Sequence, residues 1–181
     1  MRKLVLYQLL SLDGVAEEPG DWMFDGDRAI FDNLGRVIGE QDTILLGRST
    51  YEYWVGFWPD DGPEPFHSFI NETPKHVFTS SPLEQEWANT VVVDGPAVGH
   101  VHDLKQQTGG DIGIHGSIDL ARSLLQAGVV DELRLVVAST LAGGGRRLFD
   151  GEDELRRLEL VDVEQTSGGS LLLGYRAKSA E

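Results

Sequence analysis

Hydrophobic positions along the chain switch repeatedly between short continuous runs, the mark of buried strands, and the three-to-four spacing of amphipathic helices. Leu4-Val5-Leu6-Tyr7-Gln8-Leu9-Leu10 is the first run; it predicts a buried strand over 3–10, followed by turns at Asp13-Gly14 and Glu18-Pro19-Gly20-Asp21. Ile30, Leu34, Val37 and Ile38 recur at i, i+4, i+7 and i+8. That spacing predicts a helix from about 28 to 39, with Asp27 as its N-cap. Thr43-Ile44-Leu45-Leu46 reads as a short strand ended by Gly47, with a second helix from about Thr50. Residues 56–65 are too rich in Pro and Gly for a regular element, and a short helix then carries Phe66, Phe69 and Ile70.

The alternation continues with strands at His76–Thr79 and Thr90–Val93 and a helix near 98–107 ending at Gly109-Gly110. A strand at Ile112–His115, a turn at Gly116-Ser117, a helix over 118–127 and a strand at Glu132–Ala138 follow. Past Gly143-Gly144-Gly145 the period falls to two, and 158–164 with 170–177 predict a hairpin around Ser167-Gly168-Gly169. The whole reads as one α/β domain over 1–181: a mixed, mainly parallel central sheet, helices on both faces and an antiparallel C-terminal hairpin.

Charge narrows the classes of partner. The 181 residues carry a formal charge of −15 and no cysteine. An acidic surface repels nucleic-acid backbones and anionic lipid, so neither is an expected partner. Without cysteine, disulfides and thiolate chemistry are excluded. The apolar run after Arg2-Lys3 is short, contains Gln8 and meets Asp13-Gly14 without a small-residue cleavage site, so it reads as a strand and not as a signal peptide. No run approaches a membrane span. A cytoplasmic protein acting on a small molecule is the resulting expectation.

Candidate chemistry gathers where strands end and helices begin, because ligands of open α/β sheets bind at the strand carboxyl ends and helix N-termini attract anions. Leu46-Gly47-Arg48-Ser49-Thr50-Tyr51-Glu52 is one such junction. Gly47 permits close approach of a ligand, Arg48 can fork onto phosphate oxygens, and Ser49 or Thr50 can cap the helix. Glu52 lies three residues beyond Ser49, so an ordinary capping box explains the same residues. Ile114-His115-Gly116-Ser117-Ile118 is a second junction, equally open to a plain N-cap by Ser117. Phe78-Thr79-Ser80-Ser81-Pro82 is a third. No metal site is expected: His100 and His102 point nearly opposite ways on a helix, and His67, His76 and His115 are scattered.

The Gly47 junction resembles the signature of dihydrofolate reductase and its relatives. Residues 114–149 resemble the reductase domain of riboflavin biosynthesis, and stand-alone bacterial proteins with that domain, more closely still. They read Ile-His-Gly-Ser-Ile-Asp-Leu-Ala-Arg-Ser-Leu-Leu, then Val-Asp-Glu-Leu-Arg-Leu and Leu-Ala-Gly-Gly-Gly-Arg-Arg-Leu-Phe. Ser11-Leu12-Asp13-Gly14 and Trp22 match in kind and order. The resemblance implies a three-layer dihydrofolate reductase-like fold that uses NADPH, often as a homodimer. By position, Gly47, Arg48, Ser49, Thr50, Gly116 and Ser117 would face the cofactor pyrophosphate, with His115 beside them among the cofactor-binding residues. Ser80 and Ser81 would lie beside the adenosine ribose and its phosphate, and Leu9 and Ala16 would border the nicotinamide.

Glu84 and Glu86 stand after Ser80-Ser81-Pro82-Leu83, where such proteins often carry Arg or Lys, so NADH stays open beside NADPH. Asp13 and Asp27 are the only catalytic candidates, each with a competing turn or cap role. Trp22, Trp54, Phe57 and Trp58 offer walls for a flat substrate or ordinary core contacts. The expected activity is hydride transfer to a small heterocyclic or carbonyl compound, pterin- or pyrimidine-like. The alternative is a non-catalytic dinucleotide-binding or dimeric regulatory module on the same fold.

Overall fold

In the computed structural model, which describes residues 1–150 and 155–177, the strands join into one eight-stranded sheet. They are β1 (Leu4–Leu10), β2 (Gln41–Gly47), β3 (Lys75–Phe78), β4 (Thr90–Val93), β5 (Asp111–His115), β6 (Glu132–Val137), β7 (Leu158–Gln165) and β8 (Leu171–Ala177). Their order is β4-β3-β2-β5-β1-β6-β8-β7. The pairs from β4 to β6 are parallel, and β8 pairs antiparallel with both β6 and β7. The expected mixed sheet with its C-terminal hairpin is therefore observed.

The connections decide where the helices go. From β1 through β4 the chain advances to one side, carrying α1 (Arg28–Ile38), α2 (Arg48–Val55) and α3 (Phe66–Glu72). From β4 to β6 it returns, carrying α4 (Ala97–Gln106) and α5 (Ile118–Gln126). Right-handed crossovers running in opposite directions place the two groups of helices on opposite faces, and the α1–α3 and α4–α5 contacts agree. Strand side chains alternate accordingly. Leu45 packs with Val101, Ala121 and Leu124 on the α4–α5 side, whereas Ile44 and Leu46 pack with Tyr51, Val55 and Ile70 on the other. Burying each such aliphatic side chain contributes about 1.5–3 kcal/mol.

Lys75 at the start of β3 is fully buried. Its ammonium donates to the Ile70 carbonyl at 2.8 Å and lies 4.7 Å from the Trp87 ring centre. Burial lowers its pKa to about 8, as desolvation of a cation must.

Two elements start two residues earlier than expected, and the other boundaries shift by at most one. α2 starts at Arg48, two residues before Thr50, and β2 begins at Gln41 across an irregularity in its pairing with β5. Asp27 does cap α1, its Oδ1 accepting the Ala29 amide at 2.9 Å. Its Oδ2 accepts the Ser167 amide at 2.7 Å, while Thr166 donates to Asp25. The tip of the β7–β8 hairpin is thus fastened to the start of α1. Among the described residues no helix is long and apolar enough to cross a membrane.

Candidate functional site

The carboxyl ends of β3, β2, β5, β1 and β6 lie side by side along one edge of the sheet. Ser80-Ser81, Gly47-Thr50, Gly116-Ser117 and the segment holding Ala16 follow these ends in spatial order. At the β2–β5 boundary, α2 leaves towards one face and α5 towards the other. This is the topological switch point where a crevice opens in α/β sheets.

Across that crevice the Gly47 amide donates to Ser117 Oγ at 3.0 Å, and Thr50 Oγ1 to the Gly116 carbonyl at 3.4 Å. The capping alternatives are not what the structure shows. Neither α2 nor α5 has a side-chain cap: Gly47 precedes α2, and the Ser117 hydroxyl before α5 is turned to Gly47. Glu52 does not close a capping box either, because it accepts Arg48 Nε at 2.7 Å. The first-turn amides of both helices point to the crevice edge without side-chain competitors.

The two glycines serve different ends. Gly116 has φ +63°, and a Cβ there would lie 2.4 Å from the Trp54 ring, so backbone and packing both demand glycine. Gly47 has φ −80°, and a Cβ would make only ordinary contacts, none nearer than 3.9 Å. The fold does not require glycine at 47. Free space above its backbone is what a closely approaching ligand needs.

Arg48 lies within 3.9 Å of Glu84 as well as bonding Glu52. Ser80 and Ser81 are exposed, in a turn closed by Thr79 Oγ1 donating to the Ser81 carbonyl at 2.9 Å. Leu9 is half-buried on the α1 side, and Ala16 is buried beside β1. His115 brings only its backbone to the edge. Its ring is buried among Phe66, Phe69 and Tyr7, with Nε2 2.8 Å from Gln41 Oε1. Burial lowers its pKa to about 3, leaving it neutral.

Both acid candidates are occupied. Asp13 accepts from Ser11 Oγ at 2.7 Å and from the Ala142 and Gly143 amides at 2.9 and 3.0 Å. These bonds hold its pKa at about 2. The Asp27 carboxyl is likewise held below its ordinary value, chiefly by Ser167. Neither has a proton to give near neutrality. His76 Nδ1 and His100 Nε2 meet at 2.7 Å, a pairing across α4 and β3 that sequence spacing does not reveal. Among the described residues no cluster of three or more His, Asp or Glu could hold a metal ion.

Sequence reasoning also missed a cleft of about 540 Å³ at the β1–β6 end of the edge. Glu17, Glu18, Asp21, Trp22 and Phe24 form one wall, and Thr140, Leu141, Ala142, Gly144 and Gly145 the other. Its only signal was Trp22 near two glycine-rich turns. The walls are tied together: Thr140 Oγ1 donates to the Trp22 carbonyl at 2.9 Å, and Asp13 spans from the first segment to Ala142 and Gly143.

Comparison with known proteins shows the family and the fold. The RibD C-terminal domain family matches residues 2–172. Two Bacillus subtilis (strain 168) proteins described as uncharacterized are similar over nearly their whole length. YwjB is 31% identical, covering 91% of this chain and 92% of its own, and YyaP is 26% identical, covering 96% and 94%. A putative riboflavin biosynthesis protein from Shewanella sp. PV-4 superposes with a TM-score of 0.80 at 18% identity, covering 98% of this chain and 99% of that one. RibD of Acinetobacter baumannii gives 0.70 at 21%, with 98% of this chain spanning 58% of that longer protein. With the match running almost end to end, the chain belongs to the RibD C-terminal domain family, and its fold is the dihydrofolate reductase-like one of that family's reductases.

Proposed function

We propose that the protein is a reductase that binds NADPH along the β3–β2–β5–β1 edge and passes hydride to a small flat heterocycle or carbonyl compound. The observation that carries this reading is the joined pair of uncapped helix starts, held by the Gly47–Ser117 hydrogen bond beneath a glycine the fold itself does not need. Two helix N-termini converging on one crevice suit a pyrophosphate, despite a formal charge of −15 on the chain. Family membership points the same way.

The residues divide the work by position. First-turn amides of α2 and α5 would hold the pyrophosphate, Ser80 and Ser81 the adenosine end, and Leu9 and Ala16 the nicotinamide end. Arg48 is the cation nearest the 2′-phosphate end, although Glu52 and Glu84 compete for it. NADPH supplies the hydride when bound; the chain supplies orientation and a partly dry edge. With Asp13 and Asp27 both held ionised, the proton comes from water.

A homodimer is part of the proposal. Register places Leu160 opposite Tyr175 and Val163 opposite Leu173. Leu158, Leu160, Val163 and Leu171 are 39–57% exposed on that sheet face. An uncharged apolar face is where two copies of a strongly acidic chain can meet without repulsion.

Substrate-dependent NADPH oxidation across a panel of pterins, pyrimidines and quinones tests the reading. Turnover of a panel member is the expected outcome. Cofactor binding with no turnover of any of them would favour the non-catalytic module.

A further inference from the structure

The cleft at the β1–β6 end lies next along the edge from Leu9 and Ala16, so on the proposed reading it is where the substrate would sit. Its volume of about 540 Å³ suits a drug-sized molecule. Phe24 and Leu141, 78% and 74% exposed, stand on its opposite walls. Trp22, buried in the same lining, is held by its Nε1 donating to the Glu17 carbonyl at 2.8 Å. Such walls take a flat ring.

The charges around this cleft are one-sided. Glu17, Glu18 and Asp21 line it. Glu17 is neutralised by Arg146, whose Nε lies 2.7 Å from Glu17 Oε1 and whose Nη1 lies 3.0 Å from Asp119. Arg147 donates Nε to the Asp13 carbonyl at 3.0 Å and lies 3.6 Å from its carboxylate. Arg122 donates to the Leu148 and Arg147 carbonyls. Glu18 and Asp21, by contrast, have no side-chain hydrogen bond or ion pair among the described residues. The neighbouring arginines are already engaged, while two carboxylates are free.

We infer that this cleft selects its substrate by repulsion: it accepts an unphosphorylated flat ring, neutral or cationic, and rejects a phosphate ester. A dianionic phosphate entering here meets two unpaired carboxylates and no unengaged guanidinium. Discrimination built from an unfavourable contact is as effective as one built from an attractive contact. One structural neighbour, from Thermotoga maritima, is described as a 5-amino-6-(5-phosphoribosylamino)uracil reductase. That phosphate is the group this cleft turns away.

The inference rests on the reductase reading, and the test separates the two. Calorimetry of the protein in excess NADP+, which has no hydride to transfer, would compare 5-amino-6-(5-phosphoribosylamino)uracil with its dephosphorylated counterpart, and NADPH binding would be titrated separately. The dephosphorylated compound should bind at least about tenfold more tightly. The double variant Glu18→Gln, Asp21→Asn should narrow the gap by strengthening the phosphorylated compound, with NADPH affinity unchanged. Equal or tighter binding of the phosphorylated compound, an unchanged ratio in the variant, or binding of neither compound would overturn the inference. Phosphate discrimination retained by a protein that does not bind NADPH would instead overturn the reductase reading alone.

Discussion

Gly47 and Ser117, 70 residues apart, are joined by a 3.0 Å hydrogen bond from the amide of one to the hydroxyl of the other. The bond ties the start of α2 to the start of α5 at the boundary between β2 and β5. Ser117→Ala should cost about 1 kcal/mol of stability. It should also weaken NADPH and NADH together, by about tenfold, since it acts where the shared pyrophosphate would sit. Urea unfolding and fluorescence titration measure the two effects separately. A loss of stability with unchanged cofactor affinity would remove the hydroxyl from the binding site.

Gly116 and Trp54 should behave as a coupled pair. Gly116→Ala forces a side chain into a left-handed backbone and against the indole, and should destabilise by about 1–3 kcal/mol. Trp54→Ala removes the steric part, so the double variant should lose less than the sum of the singles. Additive losses in denaturant melts would show that the 2.4 Å approach is relieved elsewhere.

On the proposed reading, Arg48 and its neighbour Glu84, 3.9 Å away, would decide between the cofactors. Glu84→Gln relieves competition for the guanidinium and should tighten NADPH a few-fold with little change for NADH, while Arg48→Ala should weaken NADPH more than NADH. Equal effects on both cofactors would place Arg48 on the pyrophosphate instead.

The layout of the fold was legible because it follows from period. Leu4 to Leu10, the Ile30–Ile38 stripe and the 158–177 alternation each state their element without tertiary help. The candidate site was visible only as an order of strand-to-helix junctions and ambiguous in role, because Ser49, Ser117 and Glu52 are also common capping residues. Only geometry shows the Ser117 hydroxyl turned to Gly47 and Glu52 turned to Arg48. His115 was assigned to the cofactor edge by its neighbours in sequence, but strand alternation sends its ring to the Phe66 side. The cleft was hidden because its two walls lie more than a hundred residues apart, and spacing carries no signal over that distance.

Buried His115 should make stability depend on pH. Its folded pKa of about 3 lies below the ordinary 6.5, so between these values the unfolded chain binds a proton that the native one does not. The contribution is complete above pH 6.5 and is lost as pH falls towards 3, at up to about 1.4 kcal/mol per pH unit. Chemical denaturation of the protein and of His115→Gln at pH 7 and pH 5 isolates it. The variant should show the shallower loss; identical slopes would mean that the imidazole is not buried neutral.

The most direct test of the central claim is a titration of the purified protein with NADPH, read by quenching of tryptophan emission and energy transfer to the nicotinamide, with Trp54 beside Gly116 as a reporter. Saturable binding at micromolar cofactor, weakened in Ser117→Ala, is the predicted result. No binding up to millimolar NADPH, beyond the usual range for such ligands, would contradict it.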